Sequence, residues 1–226
     1  MADANITDFG QMKISANNLL QMYQMLKARF GFLNWWPGDT PLEIALGAIL
    51  TQSTSWKNVE KAIANLKKVN LLSVEALSGV EPSYLAELIR PSLYYNQKAK
   101  KIKGFISYLV HKYDSDLEKM KVVPTAVLRL ELLDLWGIGP ETADSIILYA
   151  LDKPIFVIDA YTRRILSRHG IASAADEPYA AIQHFFQDNI PQDVELYKDF
   201  HAQIVEVGKN YCRSKRPLCS VCPLKK

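Results

Sequence analysis

Three features of this 226-residue chain combine residue type and spacing in a way that can do chemistry. Its three cysteines, Cys212, Cys219 and Cys222, all fall within eleven residues. A disulfide framework spreads cysteines through a chain, whereas thiols clustered in a reducing compartment suggest a metal. His111, His169, His184 and His201 show no ligand spacing that would make them replacements. A carboxylate, Asp159, follows the apolar run Ile155–Ile158 and precedes an Arg-bearing helical segment. A helix N-cap accounts for it, and a cap is also where a reactive carboxylate can be fixed. The third feature is the turn Gly137-Ile138-Gly139-Pro140, set between two apolar helical stretches. Its glycines permit positive φ and a close approach of backbone to another molecule, and proline suits the first position of the following helix. Backbone N–H groups at that helix start point outward, a ready site for a phosphate oxygen. A plain helix-to-helix connector reads the same residues without a ligand.

The elements that must position these residues are helical. Apolar residues recur at helical spacing at Leu19, Leu20, Tyr23, Leu26 and Phe30, and again at Ile44, Ala45, Ala48 and Ile49. Further helices are expected at about 57–68, 83–90, 96–112, 125–135, 141–151, 160–169, 178–188 and 194–211. Pro37-Gly38, Pro82, Pro91, Pro124, Pro154, Gly170, Pro178 and Pro191 fall between them. No segment sustains a two-residue alternation, so the fold class is all-α, and no fixed-period repeat points to a solenoid. With 49% hydrophobic and 23% charged residues the chain can bury a substantial core. No apolar run approaches a membrane span, and the polar, acidic start MADANITDFG is unlike a signal peptide, so a cytoplasmic protein is expected. The formal net charge of +3 proves no nucleic-acid partner. Lys and Arg concentrate at Lys98, Lys100, Lys101 and Lys103, and again from Arg213 through Lys215 and Arg216 to Lys225 and Lys226. Each group, alone, reads as a solvated face.

The pattern L-x-x-L-x-G-I-G-x-x-T-A-D over Leu132–Asp144, followed by an apolar stretch and Val157-Ile158-Asp159, resembles the helix-hairpin-helix (HhH-GPD) DNA glycosylase superfamily, which includes endonuclease III. The resemblance implies that Asp159 is the catalytic carboxylate. It also implies that Gly137, Ile138, Gly139 and Thr142 grip the phosphate backbone beside a flipped nucleotide of double-stranded DNA. Cleaving an N-glycosidic bond leaves an oxocarbenium-like sugar, which an ionised carboxylate can stabilise while orienting the attacking water. Bifunctional members carry a lysine in the second hairpin helix that forms a Schiff base with the sugar. Glu141 stands at that position here and cannot form the imine. The expectation is a monofunctional glycosylase, with Glu141 lining the base pocket or lying exposed in a first helical turn.

Gln52, in Leu50-Thr51-Gln52-Ser53-Thr54, matches the superfamily residue that fills the gap left by the flipped base. Trp36-Pro37, Trp56, Glu141 and the run Tyr95–Lys100 together resemble one branch, the 3-methyladenine DNA glycosylase III group. By that resemblance Trp36 and Trp56, with Pro37, sandwich an alkylated purine, whose positive or electron-poor ring favours electron-rich indole faces. A place in the core is the competing reading for both tryptophans. Cys212, Cys219 and Cys222 match the first three ligands of the C-x6-C-x2-C-x5-C pattern of endonuclease III, which implies a structural [4Fe–4S] cluster. The fourth ligand would be residue 228, whereas this sequence stops at Lys226, so a truncated sequence is expected, with a degenerate loop without metal or a site completed from outside the chain as the alternatives. Hairpin carbonyls of the superfamily commonly hold a monovalent cation, here those of Leu133, Leu135 and Ile138. The resemblance also implies two helical domains. One is a six-helix barrel over 36–150 that includes the hairpin at about 128–151, and the other joins 1–35 with 151–226, with a DNA-binding cleft between them holding Asp159. A monomer is expected, nucleoid-associated if bacterial, that acts on DNA with a damaged base such as 3-methyladenine. The alternatives are a mismatch glycosylase for adenine, thymine or uracil, and a catalytically silent hairpin protein that only binds DNA.

Overall fold

The computed structural model describes residues 15–170 and 176–225, so the polar start at 1–14 and Lys226 of the basic terminus lie outside it. Among the described residues the chain is all-α, without a β-strand, and no helix is long and apolar enough to cross a membrane. It divides into two compact units, one of residues 36–155 and one of 1–35 with 156–226. The division falls after Ile155 rather than at 150, because the intervening residues are tied to the first unit. Lys153 donates its backbone N–H to Ile147 O at 3.1 Å and its Nζ to Lys121 O at 2.7 Å, and Ile155 is buried.

The unit of residues 36–155 is built around α2 (Pro41–Leu50), which is buried at Leu42, Ala45, Leu46, Ala48, Ile49 and Leu50. A helix apolar on every side has to be enclosed. Thr40 starts it by accepting the Glu43 N–H at 3.2 Å, with Pro41 at the first helical position. Packed on α2 are α3 (Trp56–Lys68), α6 (Tyr95–Tyr113), α9 (Pro140–Ser145) and the π-helical turn Ile146–Ala150 that continues α9. Each apolar side chain buried in this way stabilises by about 1.5–3 kcal/mol before chain entropy is counted. The short helices α4 (Val74–Gly79) and α5 (Pro82–Leu88) rest on α6. After α7 (Glu118–Lys121), α8 (Thr125–Asp134) leads through Leu135–Gly139 into α9.

Two polar attachments fix α8. Arg129 donates Nε and Nη2 to the two oxygens of Asp144 on α9, at 2.7 and 3.3 Å, and Asp144 is fully buried. Glu131 accepts the hydroxyls of Tyr108 and Tyr113 at 2.8 and 2.6 Å and pairs with Lys112 at 2.8 Å, which joins α8 to α6.

The other unit contains α1 (Leu19–Phe30), α10 (Ala160–Arg168), α11 (Tyr179–Gln187) and α12 (Val194–Asn210). Its core is aromatic: Phe156 stacks on Phe186 at 4.1 Å, with Tyr197 and Phe200 set edge-on to Phe156. The buried carboxylate of Asp199 on α12 fastens α1 and the segment after it, accepting from Tyr23 Oη at 2.8 Å and Leu33 N at 3.0 Å. α10 also packs along α12.

Candidate active site

The turn between α8 and α9 is tight because Ile138 N donates to Leu135 O at 3.0 Å. Of its glycines, Gly137 uses the freedom of the residue, with φ of 79°, while Gly139 is in an ordinary extended conformation at φ −94°. Gly139 precedes α9 with no side-chain cap, and a Cβ there would meet nothing within 4 Å, so space is open beside the start of α9. Ile138 points into the unit and is buried, so of the hairpin residues it anchors the turn rather than offering surface.

Gln52 belongs to the same assembly. Its Nε2 donates to Thr142 Oγ1 at 2.8 Å and to Gly137 O at 3.2 Å, and its Oε1 accepts from Lys101 Nζ. The Lys101 stem runs across Gly137, and burial pushes its ammonium below the usual lysine range. Gln52, Gly137 and Lys101, with Ser53, Tyr94, Gln97, Lys98 and Trp136, line an open cavity of about 440 Å³. Lys98 is 1% exposed and donates to Leu50 O at 2.8 Å and Ser92 O at 2.5 Å. Burial first, and then the charge of Lys101, lowers it to about 8. The lysine run that reads as a solvated face is thus largely engaged within the unit. Lys103 donates to the carbonyls of Leu77, Ser78 and Val80, and Lys100 stands 4.3 Å above the ring of Trp136, which is 55% exposed.

Trp36 and Trp56 lie together, both half-buried. Their rings meet edge to face at 5.2 Å and 90°, so they form a corner rather than the parallel walls of a sandwich. Tyr149, absent from the sequence reading, adds a third ring 5.1 Å from Trp36. The π turn carries it, and such turns re-aim side chains within a helix. Gly47 on α2 lets the tryptophans sit this close, since a Cβ there would lie 3.1 Å from Trp36 Nε1 and 3.4 Å from Trp56 Cη2. Pro37 and Glu141 are both exposed, the latter in the first turn of α9.

Asp159 is the N-cap of α10 and is 8% exposed. Its Oδ1 accepts the Thr162 backbone N–H at 2.7 Å and the Thr162 hydroxyl at 2.8 Å. Its Oδ2 lies 3.7 Å from Nε2 of His201 on α12. Burial, the largest influence, pushes the acid up, but the His201 contact and charge together with the Thr162 donors outweigh it and hold the carboxyl below the usual range. Asp159 is therefore a buried carboxylate kept ionised. Neither His201 nor Thr162 carries a sequence signal linking it to Asp159, except that threonine three residues after a cap can return a hydrogen bond.

Cys212, Cys219 and Cys222 converge on one cavity, which Arg168, His169, Tyr211 and Lys225 also line. Burial first, and also the charges of Cys212 and Cys219, pushes the Cys222 thiol up, against a backbone hydrogen bond that lowers it. Among the described residues no group of His, Cys, Asp or Glu gathers closely enough for a single ion. Two arginines of α10 hold the loop: Arg164 donates to Cys212 O and Gly208 O at 2.7 and 3.0 Å, and Arg168 to Cys212 Sγ at 3.3 Å and Arg213 O at 2.7 Å.

Comparison with known proteins agrees with this geometry. The chain is 47% identical to a candidate DNA repair glycosylase of Methanocaldococcus jannaschii, over 92% of this chain and 94% of that protein. It is 31% identical to the endonuclease III of Thermotoga maritima, over 82% of this chain and 81% of that one. A crystal structure of the H. pylori 3-methyladenine DNA glycosylase bound to 1,N6-ethenoadenine superposes with a TM-score of 0.76 at 31% identity, covering 87% of this chain and 98% of that one. Residues 46–192 match the HhH-GPD superfamily base excision DNA repair protein model. That match spans more than half of the chain, and the protein belongs to the HhH-GPD superfamily as a DNA glycosylase of base excision repair.

Proposed function

We infer that this glycosylase is monofunctional and releases an alkylated purine, with 3-methyladenine the first substrate, leaving an abasic site. The observation that carries the reading is the aromatic corner of Trp36, Trp56 and Tyr149. Indole and phenol faces attract a cationic or electron-poor base more than a normal one. An alkylated purine is also a good leaving group, so recognition can rest on stacking with little need for a general acid. Because the tryptophans meet edge to face, admitting the base requires one ring to turn. The likeness to the H. pylori enzyme supports the same substrate class.

In this reading the hairpin binds the phosphate backbone of double-stranded DNA through the N–H groups beside Gly139, and Gln52 occupies the place of the flipped base. Pro37 and Glu141 border the base pocket. Asp159, ionised at neutral pH, stabilises the oxocarbenium-like sugar and orients the water through Oδ2, since Oδ1 is committed to Thr162. With Glu141 at the lysine position there is no amine to attack the sugar, so water is the nucleophile. Cys212, Cys219 and Cys222 would hold three irons of a [4Fe–4S] cluster, provided that a fourth ligand comes from outside these 226 residues. The cluster's contribution is structural, shaping the loop that carries Arg213, Lys215 and Arg216. The carbonyls of Leu133, Leu135 and Ile138, gathered around one turn, would coordinate a monovalent cation.

The test is incubation with duplexes carrying 3-methyladenine, mismatched adenine, thymine or uracil, or an oxidised pyrimidine, with free base and strand breaks followed separately. Release of 3-methyladenine without strand cleavage or borohydride trapping is the expected result. Release of only a mismatched base would move the enzyme to the mismatch group, and a trapped adduct would overturn monofunctional chemistry.

A further inference from the structure

The two oxygens of Asp159 have different surroundings. Oδ1 takes both Thr162 donors and is spent on capping α10. Oδ2 lies 3.7 Å from Nε2 of His201, a side chain 4% exposed in the interior of α12. Because α10 and α12 pack directly on each other, two helices rather than a loop set that distance. We propose that His201 is a positioning residue for Asp159, its imidazole edge orienting Oδ2 for the reaction. This role rests on the assignment of Asp159 given under the proposed function.

The separation matters. It exceeds the span of an N–H···O hydrogen bond, about 2.7–3.2 Å, so Oδ2 keeps its lone pairs for a water molecule or the sugar. In a low-dielectric site an imidazole edge at that range still interacts more strongly with a carboxylate than it would in water. A full hydrogen bond there would steady the anion but weaken its pull on the developing cation. Burial alone would drive Asp159 towards the neutral acid, and His201 with Thr162 reverses that. Most of the other charged groups on the packed elements have partners of their own. On α10, Arg163 donates to Glu177 O, and Arg164 to Cys212 O and Gly208 O. On α12, Asp199 holds Tyr23 and Leu33, Lys198 pairs with Glu195, and Glu206 accepts from Asn210. On α1, Lys27 lies over the rings of Tyr23 and Phe32, and Arg29 reaches the Tyr211 hydroxyl.

The experiment follows the 13Cγ resonance of Asp159, assigned by its loss in Asp159→Asn, against pH in the full chain and in His201→Gln. The amide keeps a hydrogen-bond donor of similar reach while removing the imidazole. The expected result is a titration midpoint higher by about one pH unit in His201→Gln, with the acid limb of single-turnover base release moving by the same amount. An unmoved midpoint in a folded variant overturns the proposal, and so does a moved midpoint with an unmoved acid limb. If His201→Gln does not fold, Asp159→Asn, which keeps an N-cap residue, must displace the His201 Nε2 resonance, and an undisplaced resonance overturns the proposal. Failure of the unmodified chain to release any base would instead overturn the proposed reaction, while the carboxylate midpoint would still report on the pair.

Discussion

Lys101 lies across Gly137 so closely that a Cβ on residue 137 would come within 2.5 Å of the lysine Cε. The φ of 79° calls for glycine, and any side chain at 137 would also have to push the Lys101 stem aside. Gly137→Ala should cost about 1–3 kcal/mol from the strained backbone. It should also displace Lys101 from Gln52 and weaken binding to duplex DNA. Thermal melting and fluorescence anisotropy on the same variant check both effects, and a variant with unaltered melting and binding would contradict the arrangement.

Asp159→Asn separates capping from chemistry. Asparagine is as good an N-cap as aspartate, so the fold should hold, while base release falls by about 10²–10⁴-fold. Asp159→Ala should lose the activity and, in addition, about 1 kcal/mol of stability. The folded acid is held below its ordinary value, so its contribution to stability is complete above the unfolded carboxylate pKa and disappears as pH falls through the folded one. The unmodified chain and Asp159→Asn should therefore differ by a constant amount near neutral pH and converge in strong acid, as denaturation at a series of pH values would show.

Trp36→Ala removes the ring that touches both Trp56 and Tyr149. Loss of about 1–3 kcal/mol of stacking is expected, a fall of roughly 5- to 150-fold in the efficiency of excising an alkylated purine. Gly47→Ala should act more gently, since its Cβ would press on Trp36 Nε1 from 3.1 Å and shift the ring without deleting it. Equal rates for these variants and the unmodified chain on alkylated duplexes would return the tryptophans to a purely packing role.

Asp144→Asn breaks the bidentate pair with Arg129 and leaves the guanidinium without its counter-charge beside a fully buried position. A loss of about 3 kcal/mol is expected, since breaking a buried pair costs more than the pair itself contributes. The pair joins the two helices of the hairpin, so DNA affinity should fall along with stability. Chemical denaturation and a binding titration measure the two losses.

Local features were legible in the sequence and distant partnerships were not. Apolar spacing places a helix at about 96–112 and another at about 194–211, close to the observed Tyr95–Tyr113 and Val194–Asn210. Asp159 could be read as a cap because a cap is defined by its immediate neighbours. The helices Val74–Gly79 and Glu118–Lys121 escape, being too short to show a period. Gln52 and Thr142 are 90 positions apart, and nothing in either neighbourhood encodes their hydrogen bond. His201 is likewise a lone histidine until α12 is laid against α10. The lysines between 98 and 103 mislead for the opposite reason: a charge run suggests solvent, yet carbonyls in the last turns of α2 and α4 recruit Lys98 and Lys103.

The tethering of Gln52 bears on how such a protein would search a genome. Its amide already donates to Thr142 and Gly137 and accepts from Lys101, so under the proposed insertion every hydrogen bond gained inside a duplex would replace one surrendered outside it. Interrogation of an intact base pair would then be close to an even exchange without reward. Only a base that leaves the stack readily would tip the exchange, and the latch on Gln52 would make lingering conditional on damage.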